Sequence, residues 1–360
     1  MTPETVDTLI KNGTNAAKTF FEQELLRVRP IITSIDSICY GTDELYTRAT
    51  ESLDLPLERV VIADYDTDWV YSLFPSVLCW RAKGVRVDAI LPELGDKADG
   101  PYRRKLLRAM GVHVTELANE TSVPMRSFVI VPRDVGQLRA IVGVEKQSRS
   151  QTIEAVLYEG FLDTCAIRAI LARLEDLIEP YPATPPPVPV FEAGGHDLLL
   201  ARIKLVGQYS KPGIEVSIEN VPLERLVSLT RFVREYKYRQ IRHLIDLYKG
   251  LGIPLFDPAA VGLNTGEKSI VTPPVVEAVG GQFILVEGST RATFCRDEEI
   301  SVMNCVVVRG VTDPLPSTPV PFKQVRVVGS TLAAGQRYER FNYSHFRSIE
   351  RAVHPFDSIA

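Results

Sequence analysis

The segment FILVEGSTRATF spans Phe283 to Phe294. From Gln282 through Val286 it is apolar and β-branched, the composition of a buried strand. From Ala292 to Cys295 the pattern turns helical. The polar insert Glu-Gly-Ser-Thr-Arg therefore sits where a strand hands over to a helix. At such a junction the first helical N–H groups have no partner within the helix, and the helix dipole favours an anion. Gly288 lets the backbone approach a ligand closely, and Ser289 and Thr290 offer hydroxyl and N–H donors. Arg291 supplies a planar fork that matches phosphate oxygens. The turn reads as a phosphate cradle.

Working outward, three pieces fall in order: VPLERL at 221–226, SIVTPPVVE at 269–277, and the turn itself. Across about residues 215–312 this order resembles the ParB/sulfiredoxin superfamily, in which a Gly-x-x-Arg turn follows a strand and opens a helix. The resemblance implies a smaller α+β domain that binds ATP, ADP or CTP. It puts an NTP or NDP with Mg²⁺ at Gly288, Ser289, Thr290 and Arg291, with NTP hydrolysis or phosphoryl transfer as the chemistry. The sulfiredoxin branch places a catalytic cysteine in the turn, where Ser289 and Thr290 stand here. ParB partition proteins carry an Arg-Arg pair and a following helix-turn-helix domain, whereas this chain has Arg291 alone and little sequence after it. The branch with Asp-Gly-His-Thr-Arg, which includes a free-serine kinase, is nearer, with Glu287 for the aspartate and Ser289 for the histidine. On that resemblance Glu287 and Glu224 are the candidate carboxylates for holding Mg²⁺ or activating the attacking oxygen. The plainer reading of Glu224 is a solvated carboxylate at a helix cap. Some relatives are nucleases, which adds that activity as an alternative.

The stretch RFVREYKYRQIRH, just after VPLERL, interleaves arginine and lysine with Phe232, Tyr236 and Tyr238. A nucleic-acid or nucleotide groove requires such a mixture, and Arg231, Arg234 and Arg239 are the candidate contacts. The plainer reading is an amphipathic helix with a charged outer face and its rings in the core.

In the first half, helical and strand patterns alternate. A helix over 43–53 precedes a strand at 59–63, a helix over 69–83, a strand at 85–91, and a helix closed by Gly111 that leads to another strand. Two more strands, SFVIVP and LRAIVGV, follow, and the spacing from Ile153 to Pro180 predicts one long helix. Such alternation predicts an α/β domain with a largely parallel sheet. Over about residues 35–175 this organisation resembles a phospholipase D-like domain. Active members carry His-x-Lys-x-x-x-x-Asp, whose histidine attacks phosphorus and whose lysine neutralises the phosphate. The aligned window MRSFVIVP has Met125, Ser127 and Pro132 at those positions. None can do that work, so the resemblance implies a catalytically dead domain used for dimerisation, partner docking or ligand sensing.

The proline-rich run at 179–195 lacks periodicity and predicts a semi-rigid linker. The expected organisation is an α/β phospholipase D-like domain at 1–178, the linker, an α+β domain at 196–330, and a closing strand and helix at 331–360. LLLARIKLVGQYS, at 198–210, reads as a strand at the start of the second domain.

With 360 residues, 45% of them hydrophobic, the chain can bury two cores, and its net charge of −4 argues against a surface coated in nucleic acid. Nucleic-acid binding would have to be local. The five cysteines form no Cys-x-x-Cys pair, so no zinc site is expected, and four of them, in apolar surroundings, read as small buried hydrophobes in a reducing cytoplasm. The acidic cluster Asp64, Asp66 and Asp68 reads as helix capping at Asp68 rather than a calcium loop. A homodimer is expected from the resemblance, with a non-enzymatic DNA or partner-binding scaffold as the alternative function.

Overall fold

The computed structural model describes residues 38–40, 57–64, 70, 72–92, 100–118, 126–132, 139–145, 153–158, 168, 171–172, 174–182, 185–186, 188–329 and 334–354. Two compact units divide the chain after Val188, within the proline-rich run. The helix expected over 43–53 lies outside the described residues, as do Met125, Asp66 and Asp68.

The first unit is built on a seven-stranded sheet: β1 (Ile38–Tyr40), β2 (Leu57–Ala63), β3 (Arg86–Pro92), β4 (His113–Leu117), β5 (Arg126–Pro132), β6 (Arg139–Glu145) and β7 (Ile153–Tyr158). The strand order is β1-β7-β6-β5-β2-β3-β4. Helix α1 (Phe74–Ala82) joins β2 to β3, and α2 (Gly100–Ala109) joins β3 to β4. Both helical crossovers produce parallel pairs. The other pairings are antiparallel, so the sheet is mixed rather than largely parallel. The reason is connection length: β5, β6 and β7 are separated by only residues 133–138 and 146–152, too short for the crossover that a parallel pair needs. Residues 153–158, expected at the start of a long helix, are instead strand β7, paired with both β6 and β1. Ile153, Ala155 and Leu157 alternate with other residues at a period of two, which suits that pairing.

The second unit holds a six-stranded sheet in the order β17-β10-β15-β14-β16-β9. Its strands are β9 (Glu215–Pro222), β10 (Leu226–Ser228), β14 (Val275–Val279), β15 (Gln282–Glu287), β16 (Val302–Arg309) and β17 (Val320–Pro321). A three-stranded sheet joins β8 (Val190–Ala193), β12 (Ala259–Gly262) and β13 (Lys268–Val271), so the chain is already paired by Val190. A parallel ribbon joins β11 (Phe232–Arg234) to β18 (Arg326–Val328).

Both faces of the six-stranded sheet are covered, and β16 shows how. Met303, Cys305 and Val307 enter one buried cluster with Ile241, Leu244 and Tyr248 of α4 (Glu235–Gly250) and Ala292 and Cys295 of α5 (Ser289–Asp297). Val306 and Val308 enter the opposite cluster with Leu199 and Ile203 of α3 (His196–Ile203). Alternate residues of one strand thus serve two cores. Residues 198–210, expected as a strand, form α3 and the turn after it. Leu199, Ile203 and Val206 recur at helical spacing and are all buried in that second cluster. Two short helices, α6 (Ala334–Arg337) and α7 (Ile349–Val353), close the described chain, and Ile349 and Val353 belong to the same core as α3.

Candidate functional site

Strand β15 ends at Glu287, and Gly288 stands in the left-handed region at φ +87° as the residue that precedes α5. That conformation suits glycine, and the packing demands it as well. A Cβ at this position would lie 2.8 Å from both Cα and Cβ of Pro274, closer than carbon atoms approach. The junction therefore has the strand–turn–helix form that the segment implies.

Gly288, Glu287 and Arg291 are engaged within the chain. The Gly288 N–H donates to the Glu287 carboxylate at 2.9 Å. The Arg291 guanidinium donates to the Thr272 carbonyl and lies 3.8 Å from that same carboxylate. Arg291 is only 13% exposed, turned toward the protein rather than out from the helix end. The Thr293 hydroxyl donates to the Ser289 carbonyl at 2.8 Å, an ordinary bond inside the helix. Glu287 thus supplies the negative charge that the helix end favours. An external phosphate would have to displace it.

Cys295 lies one turn further along α5, deep in the core beside Cys305. Burial pushes both thiols up to about 12, against a weaker opposing pull from the Arg291 charge. Neither is a nucleophile at neutral pH.

The paired carboxylates do not meet. Glu224 is exposed in a short 3₁₀ turn, Leu223–Arg225, that leads into β10. Strand β10 runs parallel to β15 with Leu226 opposite Phe283, and Arg225 bonds the Gly281 carbonyl at 2.7 Å. Glu224 therefore lies at the start of β15, and Glu287 at its end. At about 3.3 Å per residue that separation is more than 10 Å. A shared Mg²⁺ needs both within coordination distance.

The basic stretch separates in the same way. Phe232 and Tyr236 are buried, and Tyr238 packs against Phe294 with ring centroids 5.8 Å apart. Arg239 pairs with Glu235 one turn earlier at 2.6 Å, Arg234 bonds the Tyr236 hydroxyl at 3.1 Å, and Arg231 pairs with Glu339. Helix α4 is amphipathic with its rings inward, and the three arginines of the stretch serve three separate partners.

Two ionic hubs were not legible as sites. In the first unit, buried Asp88 of β3 accepts from Arg59 at 2.6 Å, from Arg86 at 3.0 Å, and lies 3.0 Å from His113 Nδ1. A carboxylate so enclosed is a fixed structural charge. In the second unit, Glu277 of β14 accepts from Arg347 Nε at 2.7 Å and Nη2 at 3.2 Å, and from the Tyr209 hydroxyl at 2.9 Å. Burial and the neighbouring carboxylate both push the Tyr209 phenol well above its ordinary range, so it stays a donor. Burial pulls Arg347 down, and the bonds and charge of Glu277 more than reverse that. The remaining Arg347 donors reach the carbonyls of Pro314, His345 and Asp313 at 2.9, 2.6 and 3.3 Å. The hub thereby ties the segment before α7 to the sheet.

Residues 69–177 match the family model described as Inactive HKD-Rease. Strand β5, which carries Ser127 and Pro132, lies within that match, beside β2. No curated protein matches the chain. One similar solved structure is TrmBL2, an archaeal chromatin protein with a novel mode of DNA binding. It is 12% identical with a TM-score of 0.27, over 48% of this chain and 65% of that one. Another is the polyphosphate kinase of Porphyromonas gingivalis, 11% identical with a TM-score of 0.31, over 70% of this chain and 47% of that one. The chain spans less than two thirds of either protein. Among the described residues no helix is long and apolar enough to cross a membrane.

Proposed function

We propose that this chain is a non-catalytic nucleic-acid-binding scaffold. The observation that carries the reading is the match of residues 69–177 to the family model described as Inactive HKD-Rease. On the resemblance, Met125, Ser127 and Pro132 take the places of the nucleophile, the phosphate-neutralising lysine and the aspartate. A phosphodiesterase domain must hold a phosphodiester backbone before it can cut one. Replacing the histidine removes the covalent step while leaving the frame that presents the backbone. Mobility-shift titrations of the full chain with single- and double-stranded DNA, at about 50 and 200 mM salt, test the first half of the reading. Retardation that weakens as salt rises is expected, and none at the lower salt overturns it. Incubation with supercoiled plasmid and Mg²⁺ tests the second half. The plasmid stays intact, and nicking that copurifies with the chain overturns the non-catalytic assignment.

A second reading, nucleotide binding of the ParB/sulfiredoxin type at Gly288–Arg291, is favoured by the left-handed glycine between β15 and α5. An NTP or NDP with Mg²⁺ would take the helix end now served by Glu287, and Arg291 would leave Thr272 to reach the phosphate. Calorimetric titration with ATP, CTP, GTP and ADP in Mg²⁺ tests it. Absence of heat with all four at millimolar concentration overturns this reading without touching the first.

A further inference from the structure

In the second unit, the exposed large aromatic side chains among the described residues all lie in one short stretch: Phe341 at 38%, Tyr343 at 76% and Phe346 at 38%. Other large rings of this unit, including Tyr209, Tyr236, Tyr248 and Phe256, are buried. Placing three neighbouring rings in water forgoes burial that would stabilise the fold. The cluster is nonetheless well ordered. Tyr343 and Phe346 are parallel within 4° at 5.8 Å, Phe341 stands edge-on to both, and Tyr338 lies 4.6 Å from Phe341.

The backbone beneath the rings is held at several points. The Asn342 N–H donates to the Pro316 carbonyl at 2.8 Å, and its side chain accepts from the Ser344 N–H at 3.0 Å. The Glu339 carbonyl accepts from the Thr318 N–H at 3.0 Å and the Ser317 hydroxyl at 2.9 Å. The buried Arg347 guanidinium holds the His345 carbonyl. Arg340, just before Phe341, adopts φ +54°, a conformation that costs energy for a residue with a side chain. Rings fixed in this way lose little freedom when something stacks on them.

Arginines adjoin the segment that carries the rings. The Arg231 N–H donates to the Arg337 carbonyl at 2.9 Å, and the Arg231 carbonyl accepts from the Arg326 N–H at 3.2 Å, so these three backbones adjoin. The Arg337 guanidinium lies 5.2 Å from the Tyr338 centroid, and its Nε is buried with no hydrogen-bond partner among the described residues. Arg340 is exposed at the tip. The carboxylate paired with this group is Glu339, on Arg231. Arg231, Arg326, Arg337 and Arg340, on this loop and the backbones beside it, together with exposed π faces complement a chain that carries phosphates and unstacked bases.

We propose that the loop Arg337–Phe346, with Arg231 and Arg326 beside it, is a stacking platform for unpaired bases and binds single-stranded nucleic acid. The proposal rests on the nucleic-acid reading above and names the site and the strand state. Bases stack on the open face of Tyr343, and the arginines follow the phosphates. A base in a duplex keeps its faces covered by its neighbours, so the platform discriminates against double strands.

The test is fluorescence anisotropy of the full chain with labelled oligo(dT), oligo(U) and a duplex of equal length, and the two homopolymers separate DNA from RNA as the source. Tyr343→Ala, at a solvent-exposed position, is expected to weaken single-strand binding about tenfold. Tyr343→Phe retains binding, and duplex affinity stays unchanged in both variants. Arg340→Ala lowers the salt slope of single-strand binding by about one unit. Equal loss for single strand and duplex in Tyr343→Ala, or no loss in a wild type that does bind nucleic acid, overturns the platform and leaves the scaffold reading standing. A wild type that binds neither oligomer nor duplex overturns both. If the rings instead serve a protein partner, Tyr343→Ala loses no nucleic-acid binding, the second of these negative outcomes.

Discussion

The second unit contains two glutamate–arginine pairs that differ in almost every physical respect. Glu287 and Arg291 sit 3.8 Å apart at a helix end, with the carboxylate 49% exposed. Glu277 and Arg347 are 2% and 1% exposed and joined by two short bonds, with Tyr209 completing the carboxylate's shell. The first pair joins residues one helical turn apart; the second joins strand β14 to the segment before α7, seventy positions away. Water screens the exposed pair, so it is worth little to the fold and can exchange partners. The buried pair cannot exchange anything, because breaking it would strand a charge in the core. One is suited to respond to a ligand and the other to hold a surface in place.

The largest expected effect breaks the buried pair. Arg347→Leu leaves Glu277 uncompensated, and urea denaturation should show a loss of about 3–5 kcal/mol. Glu277→Leu combined with Arg347→Leu removes both charges and should recover much of that loss. If the single variant unfolds at the wild-type urea concentration, the hub does not tie the C-terminal segment to the sheet.

Next in size is Gly288→Ala. It combines an unfavourable backbone region with the contact at Pro274, and a cost of about 1–3 kcal/mol is expected from thermal or urea melts. Ser289→Ala, on the same turn, should be near neutral. Equal effects from both would mean that the glycine's conformation is not what the junction requires.

A pH dependence sharpens the contrast between exposed and buried groups. His354 lies beside Ser269 and Arg202, and burial, aided by the Arg202 charge, holds it at about 4 against an ordinary 6.5. The unfolded chain therefore takes up this proton before the folded one. Stability from His354 is complete above pH 6.5 and is lost as pH falls toward 4. Glu219, held at about 2 by its bonds from Arg309 and Ser217, adds a separate loss only between about 4.5 and 2. Melting temperatures recorded from pH 7 to 4 should fall in the wild type and flatten in His354→Gln. An unchanged slope in that variant assigns the effect to other groups.

The two pairs also explain what could be read in advance. The Phe283–Phe294 junction is legible because its determinants are local: an apolar strand, a glycine that can turn, and a helical pattern directly after. The lack of an active motif in the first half is equally legible, because an absent functional group is evident from residue identity alone. Glu277–Arg347 offers no local signal, since a glutamate in a valine-rich strand and an arginine in a polar tail gain meaning only when the fold joins them. The misplaced elements have similar causes. In α3 the run of three leucines at 198–200 masks the wider spacing of Leu199, Ile203 and Val206. In β7 the apolar residues continue toward a later helical segment, and only pairing with β6 and β1 decides for a strand. The aromatic loop gives no local signal for a different reason: exposure of a ring is a property of the fold.

The smallest structural effect, and the sharpest separation of the two pairs, comes from Glu287→Ala. An exposed carboxylate at 3.8 Å from its partner contributes about 0–1 kcal/mol, so melting should barely move. Its loss releases the Gly288 N–H and removes negative charge from the start of α5, where the dipole favours an anion. If Glu287 occupies the place of a ligand phosphate, inorganic phosphate or ATP should bind the variant more tightly than the wild type in calorimetry. If Glu287 instead serves a bound nucleotide through Mg²⁺, the variant should bind ATP more weakly, and only when Mg²⁺ is present. Identical titrations for variant and wild type would make the turn a structural junction, held by Arg291 on Thr272 and by Gly288 against Pro274.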